Sequence, residues 1–434
     1  MIIVFFISDL NKIRMDVFKF GGASVNSAEG VRNFHKIAQS YKSESLIVVS
    51  AMGKTTNALE QIVDHFFHKK IDLVQQQFEE VKTYHFGIIN ELFSETELAS
   101  INKINVLFEN LQAYLQKPAS LNYEFEYDQI VAFGELISTT ILSEYLRTKG
   151  VKNQWIDIRR YLKTNDTFGE AKVDWELSRQ LLPTAFTFHD TFIYITQGFI
   201  GGTSSNLTTT LGREGSDYTA AILANVLDAR EVSILKDVPG VMNADPKWIP
   251  DAKQLKRISY QEAIELAFFG AKVIHPKTIQ PIREKKIPMY VRSFINFHEQ
   301  GTMVSTAAIE KSVKTPIFIQ KKDQRLISIR PKDYSFVIEE NLGRIFSLIA
   351  EHRLKVNLTQ NSAISFSLCV DNSKNIDKLI EALKEDYEVR YNENLELITI
   401  RHYDTDSINQ MVEGRSVLLE QKSRDTAQYV LECD

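Results

Sequence analysis

The chain has 434 residues, 44% of them hydrophobic and 25% charged, a balance that supports a sizeable buried core and excludes wholesale disorder and a membrane-embedded bundle. Lys plus Arg number 51 against 56 Asp plus Glu, a formal charge of −5, so no basic footprint argues for nucleic acid. Two cysteines, Cys369 and Cys433, exclude a disulfide framework and a cysteine-based zinc site, and they fit a reducing, cytoplasmic setting.

The length predicts two or three domains. At the start, MIIVFFISDLNKIR lacks a leading positive charge and a small-residue cleavage site, so it reads poorly as a signal peptide and is too short to span a bilayer. Short β-rich runs then recur, each closing in a polar or glycine-bearing turn: DVFKF into GGASV, SLIVVS into AMGKTTN, TFIYITQ into GFIGG, EVSIL into KDVPGV, and IPMYV into RSF. Apolar runs separated by helical segments predict a mostly parallel α/β sheet, whose ligands bind beyond the carboxyl ends of the strands. Between 57 and 120, Phe67, Ile71, Val74, Phe78 and Val81 follow one face of an amphipathic helix. His65 and His68 near its start are expected to be solvated rather than to bind a metal.

Beyond about residue 300 the texture changes. IFIQ, LISIRP, a helical NLGRIFSLIAEHRL, KVNLTQ, ISFSLCV, a helical NIDKLIEALKED and LELITIRH follow the order β, α, β, β, α, β of a ferredoxin-like unit. Its turns use Asn, Asp and Lys. Of the 18 glycines in the chain, only Gly343 and Gly414 follow Gly301. Residues 403–434 add two strand candidates, SVLLEQ and AQYVLE, too few for a second complete copy.

Five constellations could carry chemistry. Lys19-Phe20-Gly21-Gly22 follows a strand, so backbone N–H groups and a lysine can approach an anion together. Ser50-Ala51-Met52-Gly53-Lys54-Thr55-Thr56 imitates the end of a phosphate-binding P-loop, yet Val48 stands where that loop needs glycine. The densest joins Gly198-Phe199-Ile200-Gly201-Gly202 to Thr208–Ala221, where Gly212, Arg213, Gly215, Ser216 and Asp217 run into an alanine-rich helix. Its N-terminus favours an anion, and Arg213 offers a fork for a carboxylate. Lys236-Asp237-Val238-Pro239-Gly240 with Asp245-Pro246, and Gly270-Ala271-Lys272-Val273-Ile274-His275-Pro276, each couple charge to a turn. Glu135 stands alone after Phe133-Gly134.

Together KFGGASV, FGE, TTTLGREGSDYTA, KDVPGV with ADP, and FGAKVIHP resemble the aspartate kinases, within the wider amino-acid kinase fold. The resemblance covers about 15–300, and the βαββαβ tail resembles the small-molecule-sensing ACT module of that family. It implies a mostly parallel open sheet sandwiched by helices over 15–300, a linker and first strand over 301–324, an ACT-like domain over 325–402, and a truncated second ACT module over 403–434. Because such chains begin near Met15, residues 1–14 are expected to be a poorly ordered extension.

The resemblance implies ATP-dependent phosphorylation of the L-aspartate side-chain carboxylate to 4-phospho-L-aspartate, the first step towards lysine, threonine and methionine. That carboxylate is ionised at neutral pH and needs no general base, which fits the lack of a convincing catalytic histidine. Lys19 would neutralise the moving phosphoryl group, Gly21 and Gly22 would cradle phosphates, and Asp217 would hold Lys19. Arg213 would grip the α-carboxylate and Glu135 the ammonium, while Ser50, Thr56 and Ser216 line the same pocket. Lys236, Asp237, Lys247, Lys272 and Val273 would contact the nucleotide. Mg²⁺ would bridge its phosphates through water and ATP oxygens, without a dedicated protein metal site. The resemblance further implies a homodimer and an amino-acid effector at the ACT region, with no nucleic acid and no membrane.

Departures from the family pattern are Ala23 and Lys236 at positions where threonine is common. Met242 stands where an aromatic is frequent, and Asn357 and Ala363 where lysine-sensitive relatives carry acids. Two other readings stay open: a kinase of another amino-acid carboxylate, and a kinase-like body kept as a non-enzymatic regulator.

Overall fold

The computed structural model describes residues 15–271, 274–306, 315–333 and 335–433, so the expected extension 1–14 lies outside the described residues. The chain forms two units, one built from 15–241, 254–264 and 274–306, the other from 242–253, 265–271 and 315–433. Among the described residues, no helix is long and apolar enough to cross a membrane.

The first unit contains strands β1 (Asp16–Phe20), β2 (Ser45–Val49), β3 (Gln154–Ile156), β4 (Ile193–Gln197), β5 (Ile200–Gly202), β6 (Thr208–Thr210), β7 (Glu231–Lys236), β8 (Arg257–Ser259), β9 (Met289–Ser293) and β10 (Thr302–Ser305). Eight of them form one sheet in the order β3-β4-β2-β1-β7-β9-β10-β8, with β5 and β6 as a separate antiparallel pair. Every neighbour in the large sheet is parallel except β9 and β10. Strands β1, β2 and β4 are buried along their whole length, as central strands covered on both faces must be. This is the expected parallel α/β architecture. It also absorbs β10, which sequence reading assigned to the linker 301–324; residues 307–314 of that linker lie outside the described residues.

The single helix face expected through 67–81 is broken. One helix ends at Phe67 and the next begins at Ile71, with Lys69 between them in the left-handed region at φ 58°. Val74, Phe78 and Val81 do share the buried face of helix Ile71–Leu92, but Ile71 is 77% exposed. Periodicity ran on across the turn because the apolar spacing survives a break of one helical turn. The buried face packs Phe78 against Phe108, and truncating such a ring to alanine costs ~3–5 kcal/mol.

The second unit holds β11 (Ile317–Pro331), β12 (Val356–Asn361), β13 (Phe366–Asp371), β14 (Tyr387–Arg401), β15 (Val417–Lys422) and β16 (Thr426–Glu432). They form one antiparallel sheet in the order β12-β13-β11-β14-β16-β15. With helices Glu339–Glu351 and Ile376–Asp386, the first four strands make the ferredoxin-like unit read from the sequence. The boundary drawn at 324/325 falls inside β11, which runs for 15 residues with register shifts between Lys321 and Leu326. Its first half pairs with the second half of β14, and β16 and β15 extend the sheet from there. Residues 403–434 thus continue this sheet, with helix Thr405–Val412 packed on it through Met411. Ala244, Trp248, Ile249 and Ala252, from a segment with no strand or helix signal, join the same small core.

Asn357 is committed within this unit. Its amide group donates to Gln324 Oε1 at 2.7 Å and Asp371 Oδ1 at 2.8 Å, and its oxygen accepts from Lys321 at 2.7 Å. Cys369, buried beside this network, has its thiol pushed up to about 12 by desolvation, whereas Cys433 is exposed. A thiol reagent at pH 8 should therefore label one cysteine in the native protein and both in guanidinium; rapid labelling of both under native conditions would contradict this packing.

Candidate active site

A cavity of about 630 Å³ opens in the first unit, lined by Lys19, Ser50, Thr56, Glu135, Arg213, Ser216 and Asp217 together with residues the sequence did not flag. Lys19 and Ser50 come from the carboxyl ends of β1 and β2, where parallel strands expose their ligand-binding edge. Lys19 is the fourth residue of a strand buried on both faces, and only 8% of it is exposed. Its Nζ lies 2.7 Å from Asp217 Oδ1. Asp217 occupies the first turn of helix Gly215–Val226, where a carboxylate is favoured by the helix dipole. A buried lysine at a strand end is thereby tied to a helix start distant in sequence.

Two glycines make these approaches possible. A Cβ on Gly198 would sit 2.5 Å from the Ser216 Cβ, so the β4 exit and the start of helix Gly215–Val226 meet only without one. A Cβ on Gly134 would press to 2.9 Å on Ala51, which is why helix Tyr123–Thr148 can lie against the turn after β2. The next residue, Glu135, then accepts the Ala51 N–H at 3.0 Å through Oε1. Its other oxygen, Oε2, is buried with no hydrogen-bond partner. Burial pushes the carboxyl up to about 8, against the pull of the Ala51 N–H and the Lys19 charge. A dry carboxyl with one idle oxygen at a cavity wall can ionise to meet a cationic ligand group.

Arg213 is exposed at the cavity mouth and makes no ion pair among the described residues, so its fork is available to an anion. Thr56 is half-buried in the first turn of helix Thr55–Phe67. Thr55 instead donates its hydroxyl to the Met52 carbonyl at 2.6 Å, a local turn contact, in keeping with the rejected P-loop. Gly21 and Gly22 follow β1 directly, and the Gly53 N–H donates to the Gly22 carbonyl at 3.0 Å, zipping the turns after β1 and β2 together. Lys236 ends β7, the neighbour of β1, and Asp237 is exposed in the next turn; neither lines the cavity. Lys247 lies on an exposed turn of the second unit, and Lys272 and Val273 fall outside the described residues.

Residues 15–293 match the amino acid kinase family. Lysine-sensitive aspartokinase 3 of Escherichia coli K12 is 34% identical over 367 residues, covering 82% of this chain and 78% of that protein. The chain belongs to the amino acid kinase family, among its aspartokinases. Solved structures of E. coli aspartokinase III superpose with TM-scores of 0.80 for the T-state complex with lysine and aspartate and 0.78 for the R-state complex with aspartate and ADP. Both are 28% identical to this chain and cover 96% of it and of themselves. The chloroplastic bifunctional aspartokinase/homoserine dehydrogenase 2 of Arabidopsis thaliana is 36% identical over 296 residues, and the chain spans 32% of its length.

This aspartokinase cavity includes residues that sequence reading missed. Glu60, Tyr123, Glu124 and Tyr127 line it from two helices, and Gly169, Glu170 and Phe199 from loops. The Tyr127 hydroxyl donates to Glu60 Oε1 at 2.9 Å, and burial beside that carboxylate raises it, keeping the phenol protonated. Lys277 pins Glu170 at 2.6 Å and lowers its carboxyl. Phe199 is held at φ 68°, unusual for an aromatic, by the Thr219 hydroxyl accepting its N–H at 3.0 Å. Gly169 and Glu170 do stand in a charged glycine turn, Phe168-Gly169-Glu170, with Gly169 at φ 80°, and Phe199 lies within GFIGG, so these three carry the signal that exposed the others; Glu60, Tyr123, Glu124 and Tyr127 carry none.

The state of Glu135 has a stability consequence. Its carboxyl titrates near 8 in the folded protein against an ordinary 4.5, so folding binds a proton and stability is lost as pH rises from about 4.5 to about 8. Glu135→Gln removes that loss. The unliganded variant should melt above wild type by a margin that grows by a few degrees from pH 5 to pH 8; a margin independent of pH would show that Glu135 is already ionised.

Proposed function

We propose that the chain transfers the γ-phosphoryl group of ATP to the side-chain carboxylate of L-aspartate, giving 4-phospho-L-aspartate and ADP. The observation that carries this reading is that the Lys19–Asp217 pair, Glu135 with its idle oxygen and the exposed Arg213 all line one cavity. The acceptor carboxylate arrives ionised, so no residue needs to remove a proton; the work is positioning and charge stabilisation. Glu135 Oε2 receives the ammonium and Arg213 the α-carboxylate, which fixes the zwitterionic end and turns the side-chain carboxylate towards Lys19. Ser50, Thr56 and Ser216 supply hydroxyls to the acceptor oxygens. Lys19 Nζ meets the negative charge on the transferring group, and Asp217 keeps that ammonium in place.

ATP use is supported by the family and by the ADP complex of E. coli aspartokinase III. Gly21 and Gly22, at the exit of β1 beside Lys19, are proposed to cradle the phosphates, and Lys236 and Asp237 at the exit of β7 to contact the nucleotide. No cluster of three or more metal-ligating side chains occurs among the described residues. Mg²⁺ would be held chiefly by phosphate oxygens and water, where it would neutralise phosphate charge. The ferredoxin-like half of the second unit is proposed to bind an amino-acid effector, as supported by the lysine complex of the E. coli relative.

ADP release measured with aspartate, glutamate and N-acetylglutamate tests the substrate. Turnover with aspartate and a side-chain hydroxamate on trapping are expected, while N-acetylglutamate should fail because it has no ammonium for Glu135. Turnover with glutamate in preference to aspartate would overturn the assignment. Arg213→Ala should raise the KM for aspartate by roughly tenfold to a hundredfold, the loss of a charged hydrogen bond, and leave the KM for ATP near wild type.

Aspartate binding should also release a proton. Glu135, protonated near neutral pH when the site is empty, must ionise to meet the ammonium. Calorimetry at pH 7 in buffers of different ionisation enthalpy should show the release, with the KM for aspartate falling as pH rises towards 8. A binding enthalpy independent of buffer would contradict this.

A further inference from the structure

Asp128 sits on helix Tyr123–Thr148, two turns before Glu135 on the same helix, and it is fully buried. It does not line the cavity and has no part in the chemistry above. Its Oδ1 accepts the Thr210 hydroxyl at 2.6 Å, and both of its oxygens lie 3.1 Å from the Gly169 nitrogen, sharing that N–H. Thr210 is the last residue of β6, three positions before Arg213, and Gly169 with Glu170 forms part of the cavity wall. One carboxylate thus joins the helix that carries Glu135 to the strand that delivers Arg213 and to the Gly169–Glu170 turn.

Neighbouring contacts repeat the join. Gln129 donates to the Thr208 carbonyl at 2.8 Å, the Ala171 N–H donates to the Thr210 carbonyl at 2.8 Å, and Phe125 meets Phe168 edge to face at 5.1 Å. Burial pushes the Asp128 carboxyl up to about 6, and the Thr210 and Gly169 bonds restrain the rise. Apolar packing would hold the same space more cheaply, so what the carboxylate adds is the joining of these three segments.

We infer that Asp128 is a positioning residue for amino-acid recognition, setting the distance between Arg213 and Glu135 so that one α-carbon's carboxylate and ammonium reach both. The inference rests on the aspartate kinase reading. Two groups that must grip substituents of a single carbon tolerate little error, because a displacement of about 1 Å at a binding site can cost on the order of a hundredfold.

Steady-state kinetics on the full chain tests it, with Asp128→Ala, Asp128→Asn and Thr210→Val. Asp128→Ala should raise the KM for aspartate roughly tenfold, with the KM for ATP and kcat at saturating aspartate close to wild type. Asp128→Asn, which keeps the shape and one acceptor, should recover most of the loss. Thr210→Val should raise the same KM and add little on top of Asp128→Ala; it carries the test if the alanine variant fails to fold. A folded Asp128→Ala or Thr210→Val with unchanged aspartate KM, or with both KM values raised alike, overturns the inference. If wild type neither turns over nor binds aspartate, the kinase reading fails separately. Amide hydrogen exchange then decides the positioning role: Asp128→Ala should speed exchange at Gly169 and across 211–214 with helix Ile71–Leu92 unaffected, and unchanged exchange there overturns it.

Discussion

The ion pair between Lys19 and Asp217 is the constraint on which the rest of the catalytic unit depends. Lys19 is carried into the interior by a central strand with neighbours on both sides, and an unpaired ammonium there would be very costly. Asp217 relieves that cost from the first turn of a helix whose dipole favours its charge. Removing either partner would leave the other stranded, a loss of ~3–5 kcal/mol, whereas two apolar side chains would pack there without such a cost. The pair is therefore weak evidence for stability and strong evidence for function. It keeps a positive charge at the carboxyl edge of the sheet in a fixed place, where an incoming anion can exchange protein contacts for its own.

The surrounding architecture serves that placement. Helix Tyr123–Thr148 approaches the turn after β2 only because Gly134 lacks a Cβ, and the approach brings Glu135 into a dry position beside Ala51. The segment between β4 and helix Gly215–Val226 closes only because Gly198 leaves room for Ser216. Backbone proximity, made possible by small residues, thus determines where charge can stand. The site carries two costly features, a buried Glu135 oxygen without a hydrogen-bond partner and Phe199 at φ 68°.

Much of this was legible in the sequence because chemistry and glycine coincide in it. Lys19, Arg213, Ser216 and Asp217 stand beside or within glycine-marked turns, and the chain is otherwise sparing with glycine, so those turns stand out. Glu135 was flagged by its motif, but its dryness was not readable, since it depends on how closely a helix nears a turn 84 residues earlier. Glu60 and Tyr127 reach the cavity from helices of ordinary composition, and tertiary packing alone gathers them, whereas Glu170 follows Gly169 in a turn that carried the same glycine signal. The βαββαβ order was readable from alternation. The length of β11 was not, because its register shifts near Lys321 interrupt the alternation and split one strand into two apparent runs. The break at Lys69 was hidden for the opposite reason, an apolar spacing that continues through the turn.

Lys19 and Asp217 are proposed to act as one unit in the transfer step. The most direct measurement is kcat at saturating aspartate and ATP for Lys19→Met, Asp217→Asn and the double variant. Each single change should lower kcat by about a hundredfold to a thousandfold, and the double should be scarcely worse than Lys19→Met alone, as expected for residues that work together. Fully additive losses, or a Lys19→Met protein that turns over like wild type, would contradict the assignment.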